Sequence, residues 1–184
     1  MWERILEILG LNDKVKKYAI VGGPCSGKTT TINLLSGKGY QVVEEAARVI
    51  VQKEREKGAS LFPWIVIDKF QLQILRRYLE KENAFEEGCV FSDRGIGDGL
   101  AYYYHEGIRP PKELVDAVKK KRYKKVFFLE PLEYVTDKVR NEGREVASKV
   151  GMRILETYKK FGYRVIEVPV MPVEKRVEFI LKNI

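Results

Sequence analysis

Apolar and polar positions alternate in blocks that read as strands and helices in turn. Lys17–Val21 is a short apolar run ending in glycines, as expected of a buried strand, and Lys28–Leu35 reads as a helix closed at Ser36-Gly37. Tyr40–Val43 gives a second strand and Glu45–Lys57 a second helix, stopped by Gly58. Phe70, Ile74, Leu75, Tyr78 and Leu79 recur at helical spacing within Phe62–Asn83, with Pro63 near the start. Cys89–Phe91 reads as the third strand, followed by a turn at Asp93-Arg94-Gly95 and a helix near Asp98–His105. A further helix runs from Pro110-Pro111 to about Lys121, then a strand at Val126–Leu129 stopped by Pro131. A charged segment, a helix around Val146–Phe161, a strand at Arg164–Val168 and a helix after Pro172 complete the chain. At the other end, Trp2, Ile5, Leu6 and Leu9 form the stripe of an amphipathic helix, which makes residues 1–16 an expected N-terminal helix.

Strands apolar on both faces and alternating with helices imply a parallel sheet in an α/β fold of three layers, wrapped by right-handed crossovers. Ligands of such sheets bind at the carboxyl ends of the strands. The 184 residues are about one domain by size, so residues 1–184 are expected to form one unit, with residues 131–146 as a candidate lid.

Composition narrows the classes. Hydrophobic residues make up 45% and charged residues 33%, as in globular proteins. No apolar stretch reaches the length of a membrane span, and the N-terminal stripe is not a signal peptide, so a cytoplasmic protein is expected. Of the two cysteines, Cys25 lies in a glycine-rich loop and Cys89 in a strand, which argues against a structural disulfide. One histidine, His105, rules against a zinc site built from His and Cys. The formal charge of +8 is concentrated in Lys119–Lys125, where a helix ends and a strand begins. Basic residues favour a helix C-terminus, so a solvated face is the expectation and nucleic-acid binding is not.

Gly22-Gly23-Pro24-Cys25-Ser26-Gly27-Lys28-Thr29 fits G-x-x-x-x-G-K-[ST] between a strand and a helix. Glycines allow a turn tight enough for successive N–H groups to face one concavity, and the helix N-terminus adds unpaired donors and partial positive charge. Lys28 is expected to reach the β- and γ-phosphates and the Thr29 hydroxyl to take a place on magnesium. Thr30 belongs to the same nucleotide-binding stretch. The cofactors expected are ATP or GTP with Mg2+.

Asp93, at the end of the third strand, can hold magnesium through water or orient an acceptor hydroxyl; the alternative is a turn cap. Arg94 beside it can grip a phosphate or carboxylate with two bonds. Glu45 and Arg48 share a helix face after the second strand, where Glu45 could take a proton and Arg48 hold substrate, or the two could be a plain surface ion pair. Arg140, in the charged segment with Asp137 and Arg144, can close over a transferring phosphoryl group. Gln71 is a candidate contact to a base or nucleoside.

These residues resemble the P-loop family that includes the ribosylnicotinamide kinase domain of NadR-type bacterial regulators, a small AAA-type ATPase family. The likeness spans about residues 17 to 170. It rests on Gly22–Thr30, on Val43-Glu44-Glu45-Ala46-Ala47-Arg48, on Asp93-Arg94-Gly95 with Asp98-Gly99-Leu100-Ala101-Tyr102, and on Tyr134, Asp137, Arg140 and Glu142. It implies a nucleotide-kinase-like fold with a five-stranded sheet of order 2-3-1-4-5. It also implies a kinase that moves the γ-phosphoryl group of ATP to a small nucleoside- or nucleotide-like acceptor. The second class is a regulatory ATPase or GTPase-type module with no small-molecule acceptor. The chain contains no N-K-x-D motif, and no D-x-x-G at Asp93, as a Ras-like switch would require. Oligomeric state is open between a monomer and a homodimer.

Overall fold

A computed structural model describes residues 14–45, 47, 50, 67–120, 122–132 and 144–184. Its strands are β1 (Val15–Val21), β2 (Gln41–Val43), β3 (Gly88–Asp93), β4 (Lys125–Leu129) and β5 (Val165–Val168). The described helices are α1 (Lys28–Gly37), α2 (Ile67–Asn83), α3 (Ile96–His105), α4 (Lys112–Lys119), α5 (Arg144–Lys160) and α6 (Val173–Lys182). The expected helix Glu45–Lys57, the first part of Phe62–Asn83 and most of the candidate lid fall outside the described residues. β1 begins at Val15, within the stretch expected to be helical, because Val15 and Lys16 pair with Gly88 and Cys89 of β3.

The five strands are parallel and ordered β2-β3-β1-β4-β5, the order expected. Alternation along β1 shows why helices cover both faces. Ala19 and Val21 join Val43, Val90, Val126 and Phe128 against α2 to α5, through Leu75, Tyr78, Leu100, Leu114, Ile154 and Tyr158. Tyr18 and Ile20 point the other way and join Phe91, Phe127, Leu129 and Val168 against Ile32 and Leu35 of α1 and Val177 and Ile180 of α6. The tyrosine ring of this second layer stacks on Phe91, with centroids 5.3 Å apart.

Strand register brings the functional ends together. Ile20 lies beside Asp93, Val43 beside Ser92, and Val21 beside Phe128, so the ends of β1, β2 and β3 converge on one edge. Among the described residues no helix is long and apolar enough to cross a membrane.

Candidate phosphate-binding and acceptor site

The loop between β1 and α1 is a tight turn in which Gly22, Cys25 and Gly27 all have positive φ. The turn brings Gly27 within reach of α6: a Cβ there would sit 2.6 Å from a guanidinium nitrogen of Arg176. Lys28 is buried. Its ammonium donates to the carbonyls of Gly22 at 3.0 Å and Gly23 at 2.6 Å, and to Ser26 Oγ at 3.2 Å. Burial, reinforced by the charge of Arg94, lowers the Lys28 pKa to about 8.

Thr29, the first-turn neighbour of Lys28, donates from Oγ1 to Asp93 Oδ2 at 3.0 Å. Asp93 Oδ1 is buried and has no hydrogen-bond partner. Burial raises the Asp93 pKa, and the Thr29 hydrogen bond opposes that rise. The strand runs on into Ser92 and Asp93 despite their polarity because each finds a partner on another element. Ser92 donates to the buried Glu82 at 3.1 Å, and the Asp93 carbonyl accepts from the Tyr78 hydroxyl.

Arg94 has φ +70°, a left-handed conformation that costs an L-residue about 1–3 kcal/mol and gathers at functional sites. Its N–H donates to the Ile20 carbonyl at 2.9 Å, which pins the turn to β1. The guanidinium donates from Nε to Glu45 Oε1 at 2.7 Å and lies 3.6 Å from Asp98 Oδ2. Burial works against its charge, but Tyr102, Asp98 and Glu45 outweigh it and push the pKa up.

Asp98, a member of the Asp98–Tyr102 motif, braces the start of α3. Its Oδ1 accepts from the Gly95 N–H at 3.3 Å and from the Tyr158 hydroxyl at 2.9 Å. Helix α3 therefore starts at Ile96, two residues earlier than expected, with Asp98 closing its first turn. The Ile96 N–H is satisfied by the Tyr123 hydroxyl and the Gly97 N–H by the Tyr158 hydroxyl, each at 3.1 Å. Burial raises the Asp98 pKa, against the charge of Arg94.

The structure thus gathers Lys28, Thr29, Asp93, Arg94 and Glu45 at the carboxyl edge of the sheet. Gln71 is buried, and its Oε1 comes 2.9 Å from where a Cβ on Gly99 would sit. Arg48, Arg140 and Asp137 lie outside the described residues, as does the side chain of Arg144. Sequence alone does not single out two further residues near the site, Tyr158 and Arg176, and it marks Asp98 only as a member of the Asp98–Tyr102 motif. Tyr158 sits in an apolar stripe and reads as core. Arg176 carries a visible signal, because it is a cation one turn from Val173 and Ile180 on the apolar face of its helix.

A strand-loop-helix phosphate cradle on a sheet of this order defines a P-loop nucleotide-binding protein with a nucleotide-kinase-like fold. The AAA domain family matches residues 17–176, and the chain belongs to it. Among solved structures, thymidylate kinase from Ehrlichia chaffeensis is similar at 16% identity and a TM-score of 0.63, over 92% of this chain and 98% of that one. NadR protein in complex with NAD and AMP-PNP is similar at 16% identity and a TM-score of 0.62. That match covers 91% of this chain and 49% of the NadR chain, so the present chain spans about half of it. Deoxyadenosine kinase from M. mycoides with bound dATP is similar at 16% identity and a TM-score of 0.55, over 91% and 98% of the two chains. At these identities the likeness is one of fold. No curated protein sequence matches the chain.

Proposed function

We propose that this protein is a phosphotransferase that moves the γ-phosphoryl group of ATP, with magnesium, to a hydroxyl or phosphate of a small nucleoside- or nucleotide-like acceptor. The observation that carries the reading is the Glu45–Arg94 pair, 2.7 Å apart, set on the same sheet edge as the Thr29–Asp93 pair beside the phosphate loop. Hydrolysis alone needs no such carboxylate–guanidinium pair in front of the loop, whereas transfer to an acceptor must orient a second substrate.

The donor side fits a magnesium–triphosphate. The loop N–H groups and Lys28 supply the cradle. Thr29 and Asp93 would hold the metal, and the buried, partnerless Asp93 Oδ1 is the oxygen suited to it or to one of its waters. Among the described residues no cluster of three or more metal-ligating side chains exists. That suits Mg2+, which keeps waters and phosphate oxygens among its ligands. Bound there, the metal neutralises charge on the transferring group.

On the acceptor side, Glu45 takes the proton of the attacking hydroxyl, and Arg94 fixes the Glu45 carboxylate. Asp98, itself held by the Tyr158 hydroxyl, lies 3.6 Å from the Arg94 guanidinium and offsets its charge. Gln71 offers an amide able to give and accept one hydrogen bond each, as recognition of a base edge needs. Arg140 is proposed as the cation that closes over the transferred phosphoryl group. The likeness to thymidylate kinase and deoxyadenosine kinase supports an acceptor of the nucleoside or nucleotide class.

The test is product analysis with ATP, Mg2+ and a panel of nucleosides, nucleotides and nicotinamide riboside. A phosphorylated acceptor is expected with at least one of them, and Lys28→Ala is expected to abolish it with the fold intact. ATP consumption that no acceptor alters would point to a regulatory ATPase, and turnover surviving Lys28→Ala would remove this loop from the active site.

A further inference from the structure

Arg176 stands on α6, within 3.0 Å of the phosphate loop and with only 3% of its surface exposed. Its guanidinium donates to the Ser26 carbonyl at that distance and lies directly behind Gly27. Its Nε is buried without a hydrogen-bond partner, and among the described residues no carboxylate pairs with it. Burial alone lowers its pKa. Buried charges are as a rule paired, because an isolated cation loses its hydration and recovers little from one backbone carbonyl. A guanidinium held against the loop's back with no carboxylate beside it among the described residues is costly unless a negative charge arrives on the other side.

We infer that Arg176 is a positioning residue and a fixed positive charge whose counter-charge is the polyphosphate bound in the loop, so that it sets the preference for tri- over monophosphates. This rests on the reading of Gly22–Thr29 as the ATP site. The hydrogen bond to Ser26 holds that carbonyl toward α6, which leaves the neighbouring N–H groups to face the phosphates. The charge acts across the buried backbone of Ser26, so salt screens it little.

The experiment measures dissociation constants for adenosine, AMP, ADP and MgATP with the wild-type chain, Arg176→Met and Arg176→Lys. Arg176→Met is expected to weaken MgATP by about tenfold or more, ADP less, and adenosine hardly at all, a gradient that follows ligand charge. Arg176→Lys should keep that gradient. Equal losses for all four ligands would reduce Arg176 to a structural brace and overturn the inference, and so would unchanged MgATP binding by a folded Arg176→Met. If Arg176→Met does not fold, the Arg176 Nε–H resonance of the wild-type chain decides, assigned by its absence from Arg176→Lys. It should move on adding MgATP and stay put with adenosine, and no movement with MgATP overturns the inference. Failure of the wild-type chain to bind MgATP would instead refute the loop reading itself.

Discussion

Replacing Lys28 with methionine should destroy nucleotide binding and yet leave the ligand-free protein about as stable as before. The ammonium is buried among Gly22, Gly23 and Ser26, and its pKa falls from 10.5 to about 8. That drop corresponds to about 3 kcal/mol by which folding disfavours the charged form at neutral pH. Methionine keeps most of the packed volume without the charge, but leaves two loop carbonyls and a hydroxyl without their donor, a loss of about 1 kcal/mol for each. At pH 7 the two effects nearly cancel, and the variant should match the wild type to within about 1 kcal/mol. The pH dependence is the sharper test. Below about pH 8 the lysine is charged in both folded and unfolded chains and the cost is complete. Between about 8 and 10.5 the folded protein gives up the proton first, so the unfolded chain binds more protons. Stability of the wild type relative to the variant should accordingly climb by about 3 kcal/mol across that window. Urea denaturation of both proteins at pH 7, 8.5 and 10 reads this directly. A difference flat with pH, or a variant weaker by about 2 kcal/mol or more at pH 7, would refute the argument that Lys28 is held at an electrostatic cost.

Other substitutions probe the rest of the site. Tyr158→Phe removes the hydroxyl shared by Asp98 and the Gly97 N–H and should cost about 2–4 kcal/mol, since it strands a buried donor beside a buried carboxylate. In a chain of this size that lowers the melting temperature by about 5–15 °C, which calorimetry would show. Gly23→Ala puts a Cβ 2.7 Å from the Ala147 carbonyl and 3.3 Å from Gly151 Cα. A stability loss of about 1–3 kcal/mol and weaker binding of a fluorescent ATP analogue are expected. Glu45→Gln keeps the side-chain shape but not the base, so kcat should fall about 100- to 10,000-fold in a coupled kinase assay, with little change in ATP affinity.

The strand-loop-helix unit at Val21–Lys28 was legible because it depends on local signals, namely apolar runs, glycine spacing and a lysine at a fixed offset, whereas the order of the strands came only with the resemblance to a known family. The ends of elements were less legible. β3 runs on to Asp93 because Ser92 and Asp93 find partners on α2 and α1, and hydropathy cannot see a partner that lies elsewhere in the chain. The same holds for Glu82, which is charged yet fully buried between Ser92, Tyr123 and Arg122. Glu45, Asp93 and Arg94 could be nominated from their places after strands. That Glu45 and Arg94, 49 residues apart, form one ion pair follows only from the adjacency of β2 and β3. Asp98 was visible only as part of a motif and Tyr158 not at all, for a similar reason: the bond between them exists only once α3 and α5 are packed together.

The bond between Arg176 and Ser26 joins residues 150 positions apart, one in the first loop of the sheet and the other in α6. During synthesis the glycine-rich turn emerges early, but the side chain that supports it from behind leaves the ribosome only after β5 has been made. Partial chains that have already formed β1, β3 and β4 therefore carry the loop without its backing. Whatever stability a bound nucleotide lends through this contact is therefore open only to chains in which β5 and α6 have already been made.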